Sequence, residues 1–179
     1  GSNARIFRIA LDDGTRMHVI GNDGGLLEQT VAVNEFVFSS GERLDVLVDF
    51  RGRSVGTKVM LVDRESGWDL LEFEVTSAVN RGFEIPTVLS TIEPLGNPLH
   101  TRTFSFDGMS RINGQTFDMD RIDFVVPSGR VERWVFTSNG NAPHPVHVHG
   151  ASFQVLARTG GRGVFYPWER GGKDTVLLE

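Results

Sequence analysis

Arg43-Leu-Asp-Val-Leu-Val-Asp-Phe50 places Leu44, Val46, Val48 and Phe50 on one face of an extended chain, with Asp45 and Asp49 opposite. A period of two is the mark of a half-buried strand, because apolar positions in a helix recur every 3.6 residues. The same short pattern returns along the first 75 residues. Arg5 to Leu11 stops at Asp12-Asp-Gly14, a hairpin signal, and Arg16 to Ile20 stops at Gly21-Asn-Asp-Gly-Gly25. Gln29 to Val33, Glu35 to Phe38, Lys58 to Val62 and Leu70 to Val75 complete the set. Turn signals come every eight to twelve residues, which predicts an all-β sandwich or barrel.

Residues 78–100 break this rhythm. They are irregular and hold Pro86, Pro94 and Pro98, as expected of a connection between domains. A second β region begins at Thr101, with strands expected over 101–106, 131–137, 153–158 and 175–178. A further strand is expected to run into the turn at Pro127-Ser-Gly129, and Ile112-Asn-Gly114 reads as a tight turn. The expected division is therefore 1–77, a connection at 78–100, and 101–179. Both ends read as cut: Gly1-Ser-Asn-Ala4 is either native or a cloning scar, and Glu179 falls within an expected strand.

Composition narrows the function classes. A net charge of −5 over 179 residues argues against a nucleic-acid surface and gives no reason to expect membrane attachment. No apolar run approaches the ~18 residues needed to span a bilayer. The chain has no cysteine, so it cannot itself supply a disulfide, a thiolate nucleophile or a thiolate metal ligand.

Three of the five histidines lie in His144-Pro-Val-His-Val-His-Gly150. On a strand, His147 and His149 share one face, while His144 shares the other with Val146 and Val148. Pro145 biases His144 toward an extended backbone. The strand thus offers two imidazoles to one site and a third to a site behind it. Neutral imidazole suits copper, zinc, iron and nickel. A cupin also carries His-x-His on a strand, followed by a glutamate four or five residues on, but Gln154 occupies the fifth position here.

These residues resemble the copper-binding motif in the last cupredoxin domain of multicopper oxidases, the family of laccases, bilirubin oxidase, spore-coat laccases and cuprous oxidases. Ile112 to Asp118, Val131 to Val135, Arg158 to Arg162 and Gly172 to Val176 are similar to other parts of that domain. Asn3 to Phe7, Gly24 to Leu27 and Gly41 to Asp49 resemble the second half of the middle domain. The resemblance implies two incomplete cupredoxin-like Greek-key β-sandwiches joined by a linker. It implies that His144 ligates the type 1 copper, His147 the type 2 copper and His149 one of the type 3 pair. Four coppers per complete protein would couple one-electron oxidation of a substrate to four-electron reduction of dioxygen to water. Phenols, bilirubin-like pigments, Cu⁺ and Mn²⁺ are all substrates of that class, and the setting is extracytoplasmic (periplasmic, secreted or cell-surface).

The family's thiolate ligand is expected beyond Glu179, and its first domain before Gly1. The 179 residues alone are therefore expected to be inactive as an oxidase. Two other readings stay open: a copper-free cupredoxin scaffold serving a structural or interaction role, and a mononuclear cupin-type enzyme. His18 reads as structural, His100 as an exposed linker residue and Trp134 as core. Asp174 reads as a strand-end hydrogen-bonding residue with a possible supporting role at the histidine site. The loop 139–143 is a candidate edge for substrate. Met17, Met60, Met109 and Met119 are scattered and form no methionine-rich segment.

Overall fold

The computed structural model describes residues 5–78, 82–140 and 142–179. Its strands are β1 (Ile6–Leu11), β2 (Met17–Asn22), β3 (Gly25–Val33), β4 (Glu35–Ser39), β5 (Leu44–Val48), β6 (Lys58–Asp63), β7 (Trp68–Glu74), β8 (His100–Asp107), β9 (Arg111–Ile112), β10 (Glu132–Ser138), β11 (His144–His147) and β12 (Thr175–Leu178). The helical element among the described residues is a single 3-10 turn, Pro167–Glu169. The fold is all-β and cupredoxin-like. No helix of the described residues is long and apolar enough to cross a membrane, which says nothing of β-barrels.

Two antiparallel sheets, β4-β1-β6-β7 and β3-β2-β5, pack through one core. Ile9 and Leu11 come from β1, Met17 and Val19 from β2, Phe36 from β4 and Val59 from β6. Leu44, Val46, Val48 and Phe50 lie against this core, as the alternation around β5 requires. Leu11, Met17 and Val19 are wholly out of water. Each such side chain contributes about 1.5–3 kcal/mol of apolar burial. Trp168, from far along the chain, completes the same core: it stacks on Tyr166 at 4.7 Å and its indole Nε1 donates to the Val37 carbonyl at 3.2 Å.

The later residues form a three-stranded sheet, β10-β8-β9, and a two-stranded one, β11-β12. β8 and β10 run parallel, from Glu132↔His100 to Ser138↔Phe106. Parallel neighbours need a crossover, which residues 108–131 provide. Phe104, Phe106, Trp134 and Phe136 stack along this sheet, and Phe106 lies 6.0 Å from the His144 ring. Phe117, Met119 and Ile122 in the crossover are each more than 80 % exposed.

Several sequence expectations need correction. Phe153 to Arg158 does not form a strand: among the described residues Phe153 alone makes a bridge, to Lys173. Side chains fasten the rest, with Gln154 Nε2 donating to the Glu93 carbonyl and Arg158 to Leu177. The stretch before Pro127 has no ladder partner among the described residues and stays irregular, although the turn at 128–129 forms. His100 opens β8 instead of lying in the connection, because its backbone pairs with Glu132. β12 closes at Leu178, one residue before Glu179. Asn113, with φ 54°, and Gly114, with φ 75°, make the expected tight turn. Within 82–99, Val88 bridges Gln29 of β3, and Thr87 and Leu89 also bond its backbone, so this stretch is pinned along one edge. Residues 1–4, 79–81 and 141 lie outside the described residues, and with them the start of the Asn3–Phe7 resemblance and the centre of the 139–143 loop.

Candidate metal-ligand strand

β11 pairs antiparallel with β12: His144↔Leu178, Pro145↔Leu177, Val146↔Val176 and His147↔Thr175. Burial alternates along it as parity demands. His144 and Val146 are buried, Pro145 is intermediate and His147 is exposed. His149 lies just past the strand in a turn, so strand parity does not extend to it. It nonetheless sits beside His147, the two rings 5.8 Å apart and nearly perpendicular.

The three imidazoles occupy different environments. His144 is 8 % exposed, and its Nε2 is buried without a hydrogen-bond partner among the described residues. Such a group costs about 1–3 kcal/mol unless something else satisfies it. His147 is committed at its other nitrogen. Nδ1 lies 3.1 Å from the Asp174 carbonyl oxygen and 3.1 Å from the Thr175 hydroxyl. Its Nε2 is left for solvent or a ligand. A depression lined by Arg43, His147, His149, Ser152 and Asp174 opens in front of the pair.

Asp174 is fixed from the other side of the molecule. Arg43, just before β5, grips its carboxylate with two parallel bonds of 2.6 Å, Nη1 to Oδ1 and Nη2 to Oδ2. These bonds, chiefly, hold the Asp174 carboxyl well below the usual carboxylate range and raise the Arg43 guanidinium. The Arg43 amide donates to Asp23 Oδ1 at 2.7 Å, and the Thr175 amide donates to Asp23 Oδ2 at 3.2 Å. Beneath them, Lys173 is buried with its Nζ 3.1 Å from Asp23 and 3.2 Å from Glu42. These are close ion contacts without good hydrogen-bond alignment at Nζ.

Sequence reasoning found the three histidines but gave no role to Arg43, Asp23, Glu42, Lys173 or Thr175. A signal was present: Glu42-Arg43 and Lys173-Asp174 are adjacent charge pairs of opposite order, and they meet cross-matched. Gln154 is taken up by Glu93, and His18 lies within β2, paired with Ala32 and Leu47. Trp134 is half-buried among phenylalanines, and its indole Nε1 donates to Glu132 at 2.9 Å.

Comparison with known proteins gives the family. The multicopper oxidase family profile matches residues 91–179, which hold the whole histidine strand and its Lys173-Asp174 partner. This chain belongs to the multicopper oxidase family. Among solved structures it is similar to the multi-copper oxidase of Pediococcus acidilactici, at 31 % identity and a TM-score of 0.87, covering 99 % of this chain and 39 % of that one. The McoA multicopper oxidase of the hyperthermophile Aquifex aeolicus matches at 32 % identity and a TM-score of 0.82, covering 98 % and 43 %. Among curated relatives, the cell division protein FtsP of Escherichia coli K12 is 30 % identical over 99 % of this chain and 41 % of its own length. The chain thus spans about two fifths of the relatives it matches. The family membership removes the cupin alternative.

Copper is the family's metal, and the donors here fit it in part. Imidazole is a good ligand, and one buried and two exposed histidines are ready to serve. Among the described residues, however, no group of three or more His, Asp or Glu side chains is placed to hold a metal ion. The three histidines present one imidazole inward and two outward.

Proposed function

We propose that this chain is the region of a copper-dependent oxidase that contributes His144 to an electron-accepting copper and His147 with His149 to a dioxygen-reducing copper cluster. The observation that carries the reading is the division on β11: an inward imidazole with an unpartnered buried Nε2, and an outward pair whose first member is held at Nδ1. Copper at these positions would supply one-electron acceptance from a phenol, a pigment or a metal ion, and reduction of dioxygen to water with four electrons and four protons. The protein's own part is to present imidazoles on two faces of one strand. The remaining ligands, a cysteine thiolate among them, would come from other parts of the same protein, and the 179 residues alone would not turn over. We assign residues 1–77 to the second half of a middle cupredoxin domain, 78–99 to a linker and 100–179 to part of a last one. Residues 166–175 are its contact with the middle domain. The setting proposed is periplasmic, secreted or cell-surface.

A second reading has its own support. The curated relatives matched over 99 % of the chain carry the name cell division protein FtsP, which favours a cupredoxin scaffold that works by binding a partner. Copper analysis of the full-length protein, purified from copper-supplied cells, separates the two. The oxidase reading expects bound copper and oxygen uptake with at least one of a phenol, bilirubin, Cu⁺ or Mn²⁺. A copper-free protein that consumes no oxygen with any of them would leave the scaffold reading.

A further inference from the structure

We infer that Asp174 and Thr175, held by Arg43, are positioning residues that lock His147 in the Nδ1–H tautomer and so reserve Nε2 for a metal. The inference rests on the copper-site reading of His147 and names how that ligand is prepared. Each of the three polar groups recorded around Nδ1 offers it a lone pair. The Asp174 carbonyl oxygen, at 3.1 Å, has no proton to give. The Asp174 carboxylate, 3.4 Å away at Oδ1, has none either while Arg43 grips both its oxygens. The Thr175 hydroxyl, at 3.1 Å, donates its proton to Asp174 Oδ1 at 2.8 Å, which leaves only its lone pairs facing the ring. A neutral imidazole carries one N–H. With three acceptors around Nδ1, that proton belongs on Nδ1, and the lone pair is left on Nε2.

The lock is assembled from two distant pieces of sequence. Arg43 belongs to the segment between β4 and β5, and Asp23 to the turn between β2 and β3. Asp23 receives the Arg43 amide at Oδ1 and the Thr175 amide at Oδ2, so one buried carboxylate sets the spacing of donor and acceptor segments. The Arg43 guanidinium is half exposed, and such a pair adds little to stability. Its contribution is geometric: a bidentate fork fixes the plane of the carboxylate that it binds. Partners of this kind hold a ligand's tautomer and ring orientation, and losing one costs about 10- to 100-fold in metal affinity.

The test uses the full-length protein, with its histidines labelled with ¹⁵N, and variants Asp174→Asn, Arg43→Gln, Thr175→Val and Thr175→Ser. In the metal-free protein the His147 imidazole is expected to show the Nδ1–H tautomer alone. Arg43→Gln and Asp174→Asn should give a mixture with Nε2–H, and so should Thr175→Val, whereas Thr175→Ser should retain the wild-type signal. Titration with Cu²⁺ alone should then show about 10- to 100-fold weaker binding at the His147 site in Asp174→Asn, with binding at His144 unchanged. Unchanged binding at His144 also establishes that the variant is folded. An Nε2–H tautomer in the wild type, or an unaltered tautomer across Asp174→Asn, Arg43→Gln and Thr175→Val, would overturn the inference. A wild type that shows the Nδ1–H tautomer but takes up no Cu²⁺ would sustain the lock and sink the copper reading instead.

Discussion

Lys173 and Asp23 meet 3.1 Å apart with both side chains out of water. The contact joins the segment that pairs with the histidine strand to the turn between β2 and β3. Glu42 closes the cluster from a third direction, 3.2 Å from the same Nζ. Burying an ion pair gains little over an apolar substitute, but removing one partner leaves an uncompensated charge in a place water cannot reach. Lys173→Ala should therefore destabilise the protein by about 3–5 kcal/mol. Combining it with Asp23→Ala should cost less than the two separate losses added together, since the pair shares one interaction. Urea unfolding of the two single variants and the double variant measures this, and strict additivity would show that the contact carries no coupling.

Gly24 and Gly172 touch across the same junction. A methyl group at Gly24 would stand 2.2 Å from the Gly172 carbonyl oxygen, and backbone cannot swing aside as a flexible side chain can. Gly24→Ala is expected to cost about 1–3 kcal/mol through this overpacking. It should also raise amide exchange at Thr175, whose N–H donates to the neighbouring Asp23. Hydrogen exchange followed by mass spectrometry reads the effect, and protection at 173–176 equal to that of the parent would show that the contact is not tight.

Glu132 supplies a pH dependence. Arg102 donates to it through Nε at 2.6 Å and Nη2 at 3.0 Å, and the Trp134 indole adds a further bond. These bonds hold its carboxyl down to about 2, against roughly 4.3 for a free glutamate. Between those values the unfolded chain takes up a proton that the folded chain refuses. The contribution is thus complete above about pH 4.3 and lost as pH falls toward 2. Glu132→Gln should flatten the fall of the melting temperature between pH 4.5 and 2.5. Parallel melting curves for parent and variant across that window would remove Glu132 from the account.

The sequence told most where one strand's own pattern decided the outcome. The alternation of Leu44, Val46, Val48 and Phe50 needs only a core to face, and the sheets around β1 and β2 supply it. His144 and His147 were separable by parity for the same reason, and the burial along β11 follows it. His149 escaped that logic because the strand ends before it. Phe153 to Arg158 has strand composition, yet a strand also needs a neighbour along its length, and among the described residues only Lys173 pairs with it. The Arg43–Asp174 fork lies 131 positions apart in sequence, so no local window could have joined its halves. Two reversed charge pairs, Glu42-Arg43 and Lys173-Asp174, were the trace it left, and their pairing becomes evident only once the fold brings them together.

One short strand and the turn after it are proposed to serve two metal centres. Crystals of the copper-loaded full-length protein, measured on both sides of the copper absorption edge, test this proposal directly. One anomalous peak is expected at the His144 imidazole on the buried face of β11. Separate peaks are expected at His147 Nε2, on the exposed face, and at His149 in the turn that follows. A single copper shared by His144 and His147, or no anomalous peak at any of the three histidines, would contradict it.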